Sequence, residues 1–416
     1  MVKCMNLSDK FPFFRAIFNF RMLVAFIMGF SCGLPLLLTI TVLQAWMKEE
    51  GVDLAVIGVM ALVGLPYTVK FLWAPFLDRF TLPFLGRRRG WLLTAQIALM
   101  CSIAGLGMSK PAASPWAVAF VAFLVTFFSA SQDIVVDAYR REDLTDEELG
   151  LGSSLYINGY RLGMLAASGG GLILADYVSF RFVYGIMAAG MLPGMITTFC
   201  AREPRVTERM PASMKEAVLG PLTEFLSRDG AILILAFIFL YKIGDTMAYA
   251  MTTPFYLDIG FTKSQVGTVV KLFGFWATVG GGFIGGVIML KLGINRSLWI
   301  FGILQAVSTA FFAVLARVGP SIPLLSGVIA FENISGGMGT AAYAAFMASI
   351  TNKKFTATQY ALLSSLMGVP RVIISAPTGF LVKLTSWEIY FIICTLIAIP
   401  GLLLLYKVAP WRTKSP

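Results

Sequence analysis

Histidine is absent from all 416 residues. Any proton chemistry therefore rests on carboxylates, lysine or tyrosine. Charge is also scarce. Asp, Glu, Lys and Arg together make up 13% of the chain, about half the ~25% usual in soluble domains. The five cysteines (Cys4, Cys32, Cys101, Cys200, Cys394) are odd in number and scattered. Four lie in or beside apolar stretches, so they read as small hydrophobes rather than as bridges or zinc ligands. These shortages exclude an ordinary soluble enzyme, a disordered chain and a secreted disulfide scaffold. No metal and no cofactor is expected.

What is present is apolar. The hydrophobic class makes up 57% of the residues, 34 of them Phe, and the mean hydropathy is +0.79. A membrane-crossing helix needs about 20 mostly apolar residues, so the stock suffices for ten to twelve. Apolar runs separated by charged or Pro/Gly-rich breaks place spans at about 22–47, 55–77, 91–108, 115–138, 151–175, 180–200, 230–257, 264–290, 297–316, 322–348, 358–382 and 386–408. The first run is too long for a removable signal peptide and lacks a small-residue cleavage site, so it is expected to be retained.

The 33 Lys and Arg residues sort by side. Twenty-two fall at the termini and in the even-numbered loops, six in the odd-numbered loops, and five within spans. This bias predicts that both termini and the longest loop, 201–228, are cytoplasmic. The net charge of +11 is thus topogenic and faces lipid headgroups. It does not point to a nucleic-acid partner.

The chain nearly repeats itself at an offset of about 209. Gly51–Gly58 corresponds to Gly260–Gly267 with the same glycine spacing. Gly86-Arg-Arg-Arg89 before Trp91 corresponds to Gly293-Ile-Asn-Arg296 before Trp299, and Arg161 to Arg371. The predicted organisation is a six-helix bundle at 1–200, a cytoplasmic linker at 201–228 and a second six-helix bundle at 229–416. Two parallel six-helix halves are the layout of major facilitator transporters. Asp78-Arg79, followed by Gly86-Arg87-Arg88-Arg89, resembles the loop signature of that superfamily. An acidic residue there can meet a helix N-terminus of the other half and latch the cytoplasmic side. Asp78, Arg79, Arg87 and Arg88 are accordingly expected to gate.

Nine ionisable residues fall within spans: Lys70, Asp133, Asp137, Arg161, Lys242, Asp245, Lys271, Glu332 and Arg371. A charge at the bilayer centre costs at least ~2.5–3.5 kcal/mol, so most must pair or face water. They leave the bodies of the third, sixth, ninth and twelfth spans empty. In a major facilitator fold these are the outer helices, so the pattern predicts a polar centre. Asp133 and Asp137 share one face of the fourth span, and a bridge from Arg161 to one of them is reasonable. Lys242 stands three residues before Asp245. Asp137 and Lys70 read as structural pairing. Asp245 and Glu332, with Asp133, are the candidates for proton coupling. The glycine pairs Gly29/Gly33, Gly159/Gly163 and Gly282/Gly286, and the run Gly336–Gly339, read as close helix approach.

Longer strings then resemble the AmpG-type muropeptide permeases. Among them are Gly33-Leu-Pro-Leu36, Lys70-Phe-Leu-Trp-Ala-Pro75, Ser129-Ala-Ser-Gln-Asp133-Ile-Val-Val-Asp137-Ala, Tyr241-Lys-Ile-Gly-Asp245 and Phe331-Glu-Asn333 leading to Gly336-Gly-Met-Gly-Thr340. The resemblance runs from about 20 to 405. It implies an all-α membrane protein of twelve helices in two pseudo-symmetric bundles, in the bacterial inner membrane. It also implies proton-driven import of N-acetylglucosaminyl-1,6-anhydro-N-acetylmuramyl peptides for peptidoglycan recycling, with a link to β-lactamase induction. The implied partners are this substrate, protons and membrane lipids, and a monomer is expected. Lys242, Lys271, Arg371 and Arg161 would bind its carboxylates; Asn333, Gln132 and Thr252 its amides and hydroxyls. Longer members carry two further helices after the twelfth span. Two rivals stay open: a carrier of another bulky anion such as acetyl-coenzyme A, and a membrane enzyme acting on lipid-linked sugars.

Overall fold

The structure is a computed structural model and describes residues 19–53, 56–57, 60–204, 211, 213–262, 265–373 and 377–411, without the side chains of 61 and 371–373. Among these residues every regular element is helical. They form two compact units. One is Met1–Val218 with Thr351–Ala361, and the other is Leu219–Ile350 with Leu362–Pro416.

In the first unit, α1 runs Phe20–Glu49 through a π-helical stretch at Leu38–Val42. Asn19 caps it by accepting a hydrogen bond from the Arg21 N–H. The second predicted span is broken into 3₁₀ turns and the short helices α2 (Leu65–Val69) and α3 (Ala74–Arg79). Then come α4 (Arg87–Gly107), α5 (Pro115–Asp143), α6 (Leu149–Leu165) and, after a π turn, α7 (Gly171–Ala175). The helices α8 (Phe180–Ala189) and α9 (Leu192–Cys200) complete the sixth span, and α10 (Met214–Leu226) follows.

In the second unit, α11 (Ala231–Leu240) and α12 (Ile243–Asp258) form the seventh span. A π stretch at Val266–Phe273 leads into α13 (Gly274–Val318). The remaining elements are α14 (Ile322–Ser349), α15 (Thr356–Ile373), whose residues up to Ala361 belong to the first unit, α16 (Thr378–Leu384) and α17 (Trp387–Val408). Seven helical stretches among the described residues are long and apolar enough to cross a membrane. One of them, Val266–Val318, covers both the eighth and ninth predicted spans and is broken at Gly293 (φ 76, ψ 167). The broken second, fifth and eleventh spans and the polar tenth, α14, complete the twelve.

The internal repeat has a backbone counterpart. Gly86 (φ 89, ψ −169) and Gly293 (φ 76, ψ 167) share one conformation that only glycine adopts readily. Gly51 and Gly260 both take positive φ. The two halves thus turn at matched glycines.

Glycine also sets how closely helices pack. A Cβ on Gly29 or Gly33 would overlap the carbonyls of Tyr156 and Tyr160. One on Gly159 or Gly163 would overlap those of Phe26 and Phe30. α1 and α6 therefore touch backbone to backbone. In the second unit the seam joins α13 to α14, where Gly281 and Gly337 meet the carbonyls of Ile334 and Thr278. There Gly281 and Gly285 face the partner helix, and the backbone nitrogen of Gly282, one of the expected glycines, lies against Gly337.

Candidate functional site

Three clusters of buried or partly buried polar residues stand out. The first closes the loop end of the first unit. Asp78 is fully buried. Its carboxylate accepts hydrogen bonds from the backbone N–H of Ala357 (3.3 Å) and Thr358 (2.8 Å) and from the Thr358 hydroxyl (2.7 Å). These are donors of the first turn of α15, the place where a helix favours negative charge. Arg88 and Arg87 hold the same carboxylate at 2.8 and 3.3 Å. Arg88 also grips Glu142 at 2.6 Å. Arg87 donates to the Lys354 carbonyl and Arg79 to the Pro211 carbonyl. Glu203 accepts from the N–H groups of Arg88 and Arg89 and so caps α4. The Arg89 side chain donates to the last carbonyls of α9. Gly86 is required for this arrangement, since a Cβ there would stand 2.8 Å from the Glu203 carboxyl carbon.

The second cluster lies inside the first unit. Asp133 and Asp137 are both buried on α5. Asp137 pairs with Arg140 at 3.1 Å, and Arg140 donates to the Tyr360 hydroxyl and lies over the Tyr156 ring. The cation given to Asp137 is thus Arg140. The sequence reading had placed Arg140 and Arg141 in a surface loop. α5 runs five residues past the expected end of that span, to Asp143, so both arginines are buried. Lys70 is buried on its 3₁₀ turn and is a Coulombic neighbour of Asp133 and Asp137. Gln132 donates to the Cys32 sulfur at 3.2 Å, and the Cys32 thiol contacts Asp133. Arg161 sits half-buried on α6.

The third cluster belongs to the second unit. Lys242, at the joint between α11 and α12, donates to Asp245 Oδ2 at 2.8 Å. The amide of Gln305 donates to the same oxygen at 3.1 Å. The Asp245 carboxyl is in hydrogen-bond contact with that of Glu332 on α14. Ser308 Oγ stands 2.5 Å from Glu332 Oε2 and 2.9 Å from Ser335 Oγ. Two acidic groups in contact, with one cation on Asp245, cannot both be ionised cheaply.

The other expected site residues are dispersed. Asn333 accepts from the Thr278 hydroxyl at 2.7 Å and donates to the Ile329 carbonyl, tying α14 to α13. Thr252, buried on α12, donates to the Tyr249 carbonyl. Lys271 is exposed on the π stretch before α13. Arg371 belongs to α15, and its side chain lies outside the described residues. The sequence reading missed Gln305 and Ser308 in the third cluster, and Glu142 and Glu203 in the first. Gln305 and Ser308 carry no charge, so a search for intramembrane charges passes over them. Glu142 had a signal: it directly follows two arginines at a span end.

The comparisons agree with this architecture. The family profile of the Major Facilitator Superfamily matches residues 21–373 and 237–416. The chain is 43% identical over 387 residues to the anhydromuropeptide permease of Escherichia coli (strain K12), covering 92% of this chain and 79% of that one. It is 42% identical to an uncharacterized protein of Haemophilus influenzae, covering 96% and 97%. The crystal structure of the human organic anion transporter MFSD10 superposes with a TM-score of 0.67 at 16% identity, covering 93% and 97%. Helical spans, a loop signature folded onto a helix N-terminus, and a relative this similar lead to one conclusion: the chain belongs to the Major Facilitator Superfamily, in its AmpG-type permease branch, and is a multi-pass membrane transporter rather than an enzyme.

Proposed function

We propose that this transporter imports anhydro-muropeptides from periplasm to cytoplasm across the bacterial inner membrane, driven by the proton gradient, in the service of peptidoglycan recycling. The observation that carries the substrate is the 43% identity to an anhydromuropeptide permease over 92% of the chain. The contact between the Asp245 and Glu332 carboxyls supports the driving force. In this reading the pair takes a proton from the outer side and releases it inside. Asp133, beside Lys70, is the secondary candidate. Lys242, Lys271, Arg371 and Arg161 meet the substrate's carboxylates, and Gln132, Asn333 and Thr252 its amides and sugar hydroxyls. Asp78 with Arg79, Arg87 and Arg88 forms a releasable latch, while Asp137 and Lys70 hold the first unit in register. Both termini and the 201–228 linker between bundles 1–200 and 229–416 face the cytoplasm, and the working form is a monomer.

Uptake of labelled anhydro-muropeptide into proteoliposomes tests this. Accumulation that requires an acidic exterior, and resists competition by acetyl-coenzyme A, is expected. Accumulation indifferent to the gradient would remove proton coupling. Uptake of acetyl-coenzyme A alone would replace the substrate.

A further inference from the structure

The ninth span carries no charge in its body, yet it supplies two of the groups on the coupling carboxyls. Gln305 is 6% exposed, and its amide reaches the very Asp245 oxygen that takes Lys242. Its side chain lies over Gly339, where any Cβ would collide with its carbonyl oxygen. The amide is thereby held with its N–H₂ toward Asp245. Three residues on, Ser308 Oγ lies 2.9 Å from the Gln305 backbone carbonyl as well as 2.5 Å from Glu332.

These donors differ in kind. An ammonium and an amide N–H only donate, so they favour a charged acceptor. A hydroxyl both donates and accepts, so it also suits a protonated acid. We propose that Gln305 and Ser308 are positioning residues that decide which carboxyl carries the proton. Gln305, with Lys242, fixes the negative charge on Asp245. Glu332 then holds the proton and donates it to Ser308 Oγ, while the Ser308 hydrogen turns to the Gln305 carbonyl. When Glu332 releases its proton, the Ser308 hydroxyl rotates to donate to the carboxylate left behind. The released proton passes to solvent water, which leaves the pair one unit more negative, and within the protein only the Ser308 hydrogen turns. Among the described residues, the remaining titratable groups facing the pair are Tyr241, toward Asp245, and Tyr256, toward Glu332. The Tyr241 hydroxyl is committed to the Leu298 carbonyl at 2.9 Å.

This inference rests on the reading of the pair as the proton carrier, and its test separates the two. Purified protein in proteoliposomes is assayed for labelled anhydro-muropeptide in two modes: gradient-driven uptake across a pH series, and exchange at equal pH, which moves no net proton. Gln305→Leu should keep exchange within about twofold. It removes a donor to the charged form, so the alkaline fall-off of driven uptake should move up by roughly half to one pH unit. Gln305→Asn, which keeps the amide, should return part of that shift. Ser308→Ala removes a hydroxyl that serves both forms and bonds the charged one more strongly, so its fall-off should also move up, by less than that of Gln305→Leu. If Gln305→Leu and Ser308→Ala both exchange and their profiles superimpose on the unmodified protein, the inference is overturned. Should Gln305→Leu fail to exchange, unshifted profiles for Gln305→Asn and Ser308→Ala overturn it equally. If the unmodified protein itself ignores the gradient, proton coupling fails first, which is a different result.

Discussion

The two units solve the problem of intramembrane charge in opposite ways. In the first, each carboxylate has a cation of its own: Arg140 for Asp137 and Lys70 beside Asp133. In the second, Asp245 and Glu332 share one cation among the described residues, Lys242. A balanced set is at rest and holds helices together. An unbalanced set has room for a further positive charge, which in the proposed mechanism is a proton. The difference teaches that a buried ion says little about transport until its partners are counted.

The comparison breaks first at Glu332. Glu332→Gln removes the titrating member, and gradient-driven uptake should fall by more than about tenfold while equal-pH exchange persists. Driven uptake within twofold of the unmodified protein would place the coupling elsewhere. Next comes the balanced unit. Arg88→Met strands the buried carboxylate of Glu142 and takes one of two cations from Asp78, and Asp137→Asn removes the anion paired with Arg140. Each should cost roughly 3–5 kcal/mol, seen as a lower midpoint in thermal unfolding in detergent, with the pH dependence of surviving uptake unchanged. A shifted pH profile for Asp137→Asn would erase the distinction between the units. Smaller effects follow at the seams. Gly33→Ala forces a methyl into the Tyr160 backbone of the first unit and Gly281→Ala into that of Ile334 in the second. Each should cost about 1–3 kcal/mol as overpacking does, which the same unfolding measurement detects. The smallest is Lys354→Gln, which removes a one-third-exposed pair with Glu216; the midpoint should shift by no more than about 1 kcal/mol allows.

Much of this was legible in the chain, and the gaps have physical causes. The spans follow from apolar runs, and the pairing of Lys242 with Asp245 follows from i,i+3 spacing on one helix face. The meeting of Asp78 with a helix N-terminus follows from the loop signature. Arg140 was assigned to a loop because charge normally marks a span end, whereas here Asp137 and Tyr360 carry it inward on a longer helix. The α13 seam was read at Gly282 and Gly286; Gly282 does meet Gly337 there, and Gly281 and Gly285 also press on α14. A single residue rotates a helix face by about 100°, and a run of three glycines leaves the facing one undetermined. Gln305 stayed hidden because neutral polar residues raise no alarm in hydropathy, although a buried amide must find partners as surely as an ion does.

The most direct test of the account is the proton movement that accompanies substrate. Proteoliposomes in weakly buffered medium should turn that medium alkaline on addition of anhydro-muropeptide, both for the unmodified protein and for Asp133→Asn. Glu332→Gln should take up label without any pH change. An alkaline response retained by Glu332→Gln, or lost only in Asp133→Asn, would contradict the assignment of the proton to the second unit.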